Sequence, residues 1–304
     1  MSKQRHFRIE YLVICVFVFL MAIGSLFDKS ISQHLVNQNS LIATFFQIFG
    51  SIAPPLILFI ASLIICFYAL YQIRDNISKF TVMSVSIIGS AYAMWQLVKK
   101  CTLRLLCAIN NFHDNIPIGI DSSDKIPVKG NVLFLIICIT IILWGIGIFL
   151  IYTWIKNVKQ AELQRLMFIS LGGIVAFFLR DTFIDSMKDL WGRWRPREQL
   201  TNWNHFTNWY VINGKNGHQS FPSGHSASAW LSLYLPLFIN PNTHKKFRHI
   251  AFILACIFGI LVAGSRVFIG AHFLSDVTMG SFVSIIIVYC ISRILGEHID
   301  CNKL

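Results

Sequence analysis

Eight apolar stretches separated by short polar connections leave this chain few folds to choose from. They run Tyr11–Phe27, Ile52–Tyr71, Thr81–Leu97, Val132–Thr153, Leu166–Ile184, Ala227–Ile239, Ile250–Ser265 and Val277–Ile294. Several approach the roughly 20 residues that a helix needs to cross the hydrocarbon core of a bilayer. A composition 55% hydrophobic and only 13% charged suits lipid rather than water. In lipid every backbone polar group must be bonded within the protein, and helices do this. The expected fold is therefore all-α, a polytopic membrane helix bundle in one membrane domain, without internal repeats or a low-complexity linker. Lys3, Arg5 and Arg8 ahead of the first stretch also fit a signal peptide, but no small-residue cleavage site follows, so it is read as a retained span.

Basic residues set the expected orientation. With the N-terminus cytoplasmic, the inner connections carry Lys3, Arg5 and Arg8, then Arg74 and Lys79, Lys156, Lys159 and Arg165, Lys245, Lys246 and Arg248, and finally Arg293 and Lys303. Both termini are expected inside. The stretch 99–130 strains this scheme, because it falls outside yet carries Lys99, Lys100 and Arg104. A misplaced third span and a topology with fewer spans both stay open.

A formal charge of +12 is explained in part by these flanks. Nucleic acid is not an expected partner, since the chain has no soluble basic domain that reads a groove. The eight cysteines lack CxxC or CxxH spacing, so no metal site is expected from them, and most sit in apolar spans as small buried hydrophobes. Cys101 and Cys107 are the one pair positioned to share a non-cytoplasmic loop, where a disulfide is conceivable.

The connection 185–224 differs from the others. Lys188 and Arg195 lie seven residues apart and share one face if the fifth span continues to Pro196. Together they fit a phosphate clamp, but taken alone a snorkelling basic cluster at a helix end is the favoured reading. Pro222 suits the first position of a helix whose opening turn holds Ser223, Gly224 and His225, with free N–H groups that attract an anion. His272 and Asp276, one turn apart after Ser265-Arg266, face the same way, so the carboxylate can fix the imidazole. Between the clamp and Pro222 lie Trp203, His205, Phe206, Trp209 and Tyr210, rings suited to a membrane interface and to covering a headgroup. Arg193 and Arg197 flank the clamp and are read as headgroup-facing or as contacts for a second phosphate. Arg180 and Asp181, adjacent in sequence, are expected to pack rather than to pair.

Three span ends on one side, each with groups that bind phosphate or move protons, carry more weight than any one of them. Lys188, six residues, Arg195-Pro196; Pro222-Ser223-Gly224-His225; and Ser265-Arg266, five residues, His272, three residues, Asp276 closely resemble the three signature motifs of the type 2 phosphatidic acid phosphatase family, with no signature position substituted. The resemblance covers about residues 180–280.

It implies a six-helix phosphatase core from residue 81 to 304, with motifs at 188–196, 222–225 and 265–276, preceded in residues 1–80 by about two extra transmembrane helices. It further implies a metal-independent enzyme without cofactors that acts on a lipid phosphate monoester or diphosphate, such as a polyprenyl diphosphate, phosphatidic acid or phosphatidylglycerol phosphate. His272 would be the nucleophile, Asp276 its orienting partner, and His225 the acid and then the base. Lys188, Arg195, Ser223, Gly224 and Arg266 would hold the phosphate. If the chain is a bacterial member, as its general make-up suggests, the site faces outward from the cell membrane. A lipid phosphotransferase using the same intermediate, and a non-catalytic lipid-binding or transport protein, are the alternatives. The sequence leaves the physiological lipid and the oligomeric state open.

Overall fold

The computed structural model describes residues 2–297, with side chains from residue 10 onward; Cys301 and Lys303 lie outside the described residues. The chain is all-α, with no strand among the described residues. In order come α1 (Ser2–Leu35), α2 (Leu41–Phe49), α3 (Ala53–Gln72), α4 (Asn76–His113), α5 (Gly130–Ile155), α6 (Gln160–Trp191), α7 (Gly224–Trp230), α8 (Lys245–Phe268) and α9 (Leu274–Ile294). Among the described residues seven spans are long and apolar enough to cross a membrane, with α2 and α3 together making one of them. Their outer faces are apolar and exposed, as on α5 with Phe134, Ile141 and Phe149, which is what lipid contact requires.

The sixth expected span, Ala227–Ile239, is not among these seven. It consists of the seven residues of α7 and eight of 3-10 helix, Leu231–Phe238, with Pro236 inside. Proline removes a backbone donor and favours the tighter turn. None of residues 224–238 is exposed, so this element is the hub of the bundle and not a lipid-facing wall. Around it a core of Ile57, Leu166, Tyr234, Leu237 and Val288 joins α3, α6 and α9. Tyr234 Oη, buried there, donates to the Ile169 carbonyl at 2.6 Å.

Ionic contacts fix the two ends of the bundle. At one, Arg165 and Arg248 each bind Glu297 at 2.7 Å, and Arg293 binds Glu10 at 2.8 Å. At the other, Asp28 of α1 meets the first turn of α9 through the Ser275 amide at 3.1 Å. α1 thus runs antiparallel to α9, and the start of α1 shares an end of the bundle with the finish of α9. All three motifs gather at the opposite end.

The stretch 99–130 departs from expectation. α4 does not stop near Leu97 but continues to His113, because Leu103, Cys107 and Asn111 extend a buried stripe at four-residue spacing. Thirty-eight residues make a helix of about 57 Å, well beyond a hydrocarbon core of about 30 Å. Cys101 and Cys107 therefore lie on one helix as free thiols, not as a disulfide pair. The following loop folds back: Asn111 Nδ2 donates to the Ile120 carbonyl at 2.7 Å, and this carries Asp121 to within 3.5 Å of Arg104.

Candidate active site

A cavity of about 450 Å³ opens at the motif-bearing end, between α2, α3, α4, α6, α7 and the α8–α9 turn. Lys188, Arg195, Gly224, His225, Arg266 and His272 all line it. Ser223 and Asp276 do not; both are fully buried directly behind it.

The first motif reaches the cavity by a route other than helix continuation. α6 ends at Trp191, where Gly192 takes a left-handed conformation (φ 51°) and its amide bonds back to the Lys188 carbonyl at 3.2 Å. A Cβ on Gly192 would collide with the Gly214 carbonyl oxygen at 1.9 Å. Lys188 and Arg195 therefore do not share a helical face. Arg195 instead stands on extended backbone ahead of a short 3-10 turn, Pro196–Glu198, and reaches the same cavity from another side.

Pro222 likewise precedes the helix and is not its first residue. Ser223 is the N-cap of α7, its Oγ accepting from the Ser226 amide at 3.3 Å and the Ser226 hydroxyl at 3.0 Å. Arg180, on α6, donates to the Gly224 carbonyl and to Ser228 Oγ and also pairs with Asp181. The two neighbours do form an ion pair, contrary to the sequence reading. The contact clamps α6 to α7.

His272 has a defined tautomer. Its Nδ1 lies 2.7 Å from the Ser220 carbonyl oxygen, which can only accept, so Nδ1 carries the proton and Nε2 keeps its lone pair. Asp276 Oδ2 is farther from Nδ1, at 3.7 Å. The carboxylate acts on the ring partly through Ser220, whose hydroxyl donates to Asp276 Oδ2 at 2.5 Å. Burial pushes the His272 pKa down to about 4; the Asp276 contact opposes this, while Arg195 and Arg266 reinforce it. The ring is neutral at ordinary pH, with a free nitrogen beside the cavity. An imidazole so held can attack an electrophilic phosphorus.

His225 is also held neutral, well below the usual histidine value, by burial and then by the charges of Arg104 and Arg266. Its Nε2 donates to the Gln47 carbonyl at 3.2 Å. The Gln47 side chain also accepts from Arg266 Nη1 at 3.1 Å, while Arg266 Nη2 donates to the Ala43 carbonyl at 3.2 Å. α2 thus holds both a candidate proton carrier and a candidate phosphate ligand.

Arg193 is the residue whose position the sequence reading missed most. Instead of facing a headgroup or a second phosphate, it is fully buried. It donates to Asp276 Oδ1 at 2.5 Å, to Ser275 Oγ at 2.8 Å and to Asp28 Oδ2 at 3.1 Å, and packs 4.1 Å over the Phe273 ring. The aromatic stretch closes over this network and not over the cavity. Phe206 packs edge-on against Phe273 at 5.4 Å, Trp209 stacks on Phe221 at 6.3 Å, and Trp209 Nε1 donates to Ser25 Oγ at 2.7 Å. His205 and His218 sandwich Trp194 at 4.5 and 3.4 Å.

The family model of the PAP2 superfamily matches residues 165–300. This stretch is a PAP2-superfamily domain. No curated protein and no solved structure matches the chain. The PAP2 match begins within α6 and takes in all three motifs, so Asp28, Gln47, Lys100, Arg104 and Asp121 lie before it. With the seven apolar spans, it marks the chain as a membrane protein of phosphatase type. Asp28 carried one sequence signal: an ionisable residue at the edge of an apolar span is costly unless paired, and invites a functional reading. Gln47 carried none.

Proposed function

We propose that the protein hydrolyses a phosphorylated membrane lipid through a phosphohistidine on His272, without a metal. The observation that carries this reading is the neutral His272 ring, its Nδ1 bonded to the Ser220 carbonyl and its Nε2 free, in a cavity lined by Lys188, Arg195 and Arg266. Nε2 attacks phosphorus, and the negative oxygens lie against the three cations and the Gly224 amide, which supply the charge stabilisation that phosphoryl transfer needs. Ser223 acts as the cap that sets the first turn of α7.

His225, neutral in the free enzyme, gains a proton as the substrate's negative charge enters, delivers it to the leaving oxygen, and then takes one from the water that cleaves the phosphohistidine. Asp276 stabilises the charge that His272 acquires. The apolar lower wall of the cavity, with Pro55, Leu58 and Phe177, suits a lipid stem.

Lys156 and Lys159 between α5 and α6, and Lys245 and Lys246 at the start of α8, lie at the end of the bundle away from the site and support cytoplasmic termini and an external active site. The test is phosphate release from lipid mono- and diphosphates in EDTA by the purified protein and by His272→Ala. Release that requires His272 is expected; release that survives the substitution, or that requires added magnesium, would overturn the mechanism. Transfer to a lipid acceptor in place of water would identify a phosphotransferase.

A further inference from the structure

The three motifs account for only part of the charge in the cavity. Its walls carry seven basic side chains against three aspartates. Each aspartate already has a basic partner: Asp181 pairs with Arg180, Asp185 lies 3.6 Å from Lys188, and Asp121 lies 3.5 Å from Arg104. A phosphate monoester dianion would neutralise at most half of the four charges left over.

The four left over are Lys100, Arg195, Arg197 and Arg266, and of these Lys100 and Arg197 stand outside the motifs. Lys100 and Arg104 sit one turn apart on α4 and project into the cavity from outside the PAP2 match. Lys100 Nζ makes no hydrogen bond or ion pair among the described residues. Arg104 is anchored to Ser51 Oγ at 2.5 Å as well as to Asp121. Arg197, from the 3-10 turn after α6, lines the same cavity, and its buried Nη1 has no partner. A buried guanidinium nitrogen without an acceptor marks a place where an acceptor is expected. The Asp121 carboxyl feels both arginines: burial alone would raise its pKa, but Arg104, the Ser123 hydrogen bonds and the charge of Arg197 bring it below the ordinary value.

We propose that Lys100, Arg104 and Arg197 form a second anion subsite, so that the preferred substrate presents two adjacent phosphate groups, one held by the motif cations and the other by these three. This rests on the phosphatase reading and refines it. For a lipid diphosphate, His272 Nε2 forms a bond to the terminal phosphorus as the bond from that phosphorus to the bridging oxygen breaks. The bridging oxygen keeps the electron pair, takes the proton from His225, and departs on a lipid monophosphate held by the α4 cations. Water then cleaves the N–P bond and releases inorganic phosphate.

The experiment compares a lipid diphosphate with the monophosphate of the same tail, for wild type, Lys100→Gln and Arg104→Gln. Because Lys100 has no partner to lose, its substitution leaves the packing intact even if Arg104→Gln fails to fold. The diphosphate-to-monophosphate ratio of kcat/KM is expected to fall at least tenfold in Lys100→Gln. An unchanged ratio would overturn the subsite. Inorganic phosphate added to the monophosphate assay distinguishes a free anion from a substrate group. Stimulation of wild type that is lost in Lys100→Gln would show the subsite serving free phosphate, and would overturn the diphosphate assignment. His272→Ala on the monophosphate is the control for the underlying reading, since it loses activity whether or not the subsite exists.

Discussion

Arg193 joins two buried carboxylates, donating to Asp276 at 2.5 Å and to Asp28 at 3.1 Å. One guanidinium thus ties the first helix of the chain to the acid beside His272. Two carboxylates and one cation do not balance; the remaining acceptors are met by the Ser275 hydroxyl, which donates to Asp28, and by the Ser220 hydroxyl and Phe273 amide, which donate to Asp276.

Removing one member of such a buried set leaves the others uncompensated, at a cost of about 3–5 kcal/mol. Arg193→Ala is expected to lower the melting temperature sharply. Asp28→Asn keeps the shape and removes the surplus charge, so it is expected to fold and to lower kcat with little change in KM, because Asp28 acts on Asp276 through Arg193 and does not line the cavity. A change in KM alone would show that α1 acts on binding.

His225→Ala is expected to cut turnover most for lipids with a poor leaving group, by a factor of about 100 or more, the usual range for a lost general acid. Chromogenic phosphates with acidic leaving groups should lose far less. Equal losses across a leaving-group series would remove His225 from the acid role.

The depressed pKa of His272 has a stability consequence. Its folded value of about 4 lies below the ordinary 6.5, so between those values the unfolded chain binds a proton that the folded chain does not. Stability is complete above about pH 6.5 and falls as the pH drops toward 4, by about 3 kcal/mol from this ring. His225 adds to the slope in the same direction. Melting curves in detergent from pH 4 to 7 should show this decline, flattened in His272→Gln. A slope identical in wild type and variant would mean that the ring titrates normally.

Gly280 on α9 sets how closely α7 approaches. A Cβ there would lie 2.3 Å from the Ser223 carbonyl oxygen, a backbone atom that cannot swing aside. Gly280→Ala is expected to cost about 1–3 kcal/mol as an overpacked contact and to displace the turn that carries Gly224 and His225. Activity should fall even where the protein still folds; full activity would show that α7 can shift without consequence.

The bundle and the signature residues were legible because each leaves a strong local mark: apolar length for the spans, fixed spacing for the motifs. What was hidden is what depends on distant partners. Lys99, Lys100 and Arg104 looked like a breach of the charge rule for loops; in fact α4 runs on, and two of the three line the cavity. Arg193 and Arg197 look alike in sequence, four residues apart. The turn at Gly192 sends one into the protein beneath Asp276 and leaves the other on the cavity wall. Ser220 and Gln47 hold the two histidines through main-chain carbonyls, contacts to which residue identity gives no clue.

Residues 165–300 contain every signature side chain, yet a protein trimmed to them would carry an incomplete candidate site. It would have an Arg193–Asp276 pair no longer tied to Asp28 of α1, a His225 without the Gln47 carbonyl that accepts from it, and a cavity with one side open. The helices ahead of the matched stretch are therefore not interchangeable anchors. Grafting them from a relative would transplant part of the candidate site with them.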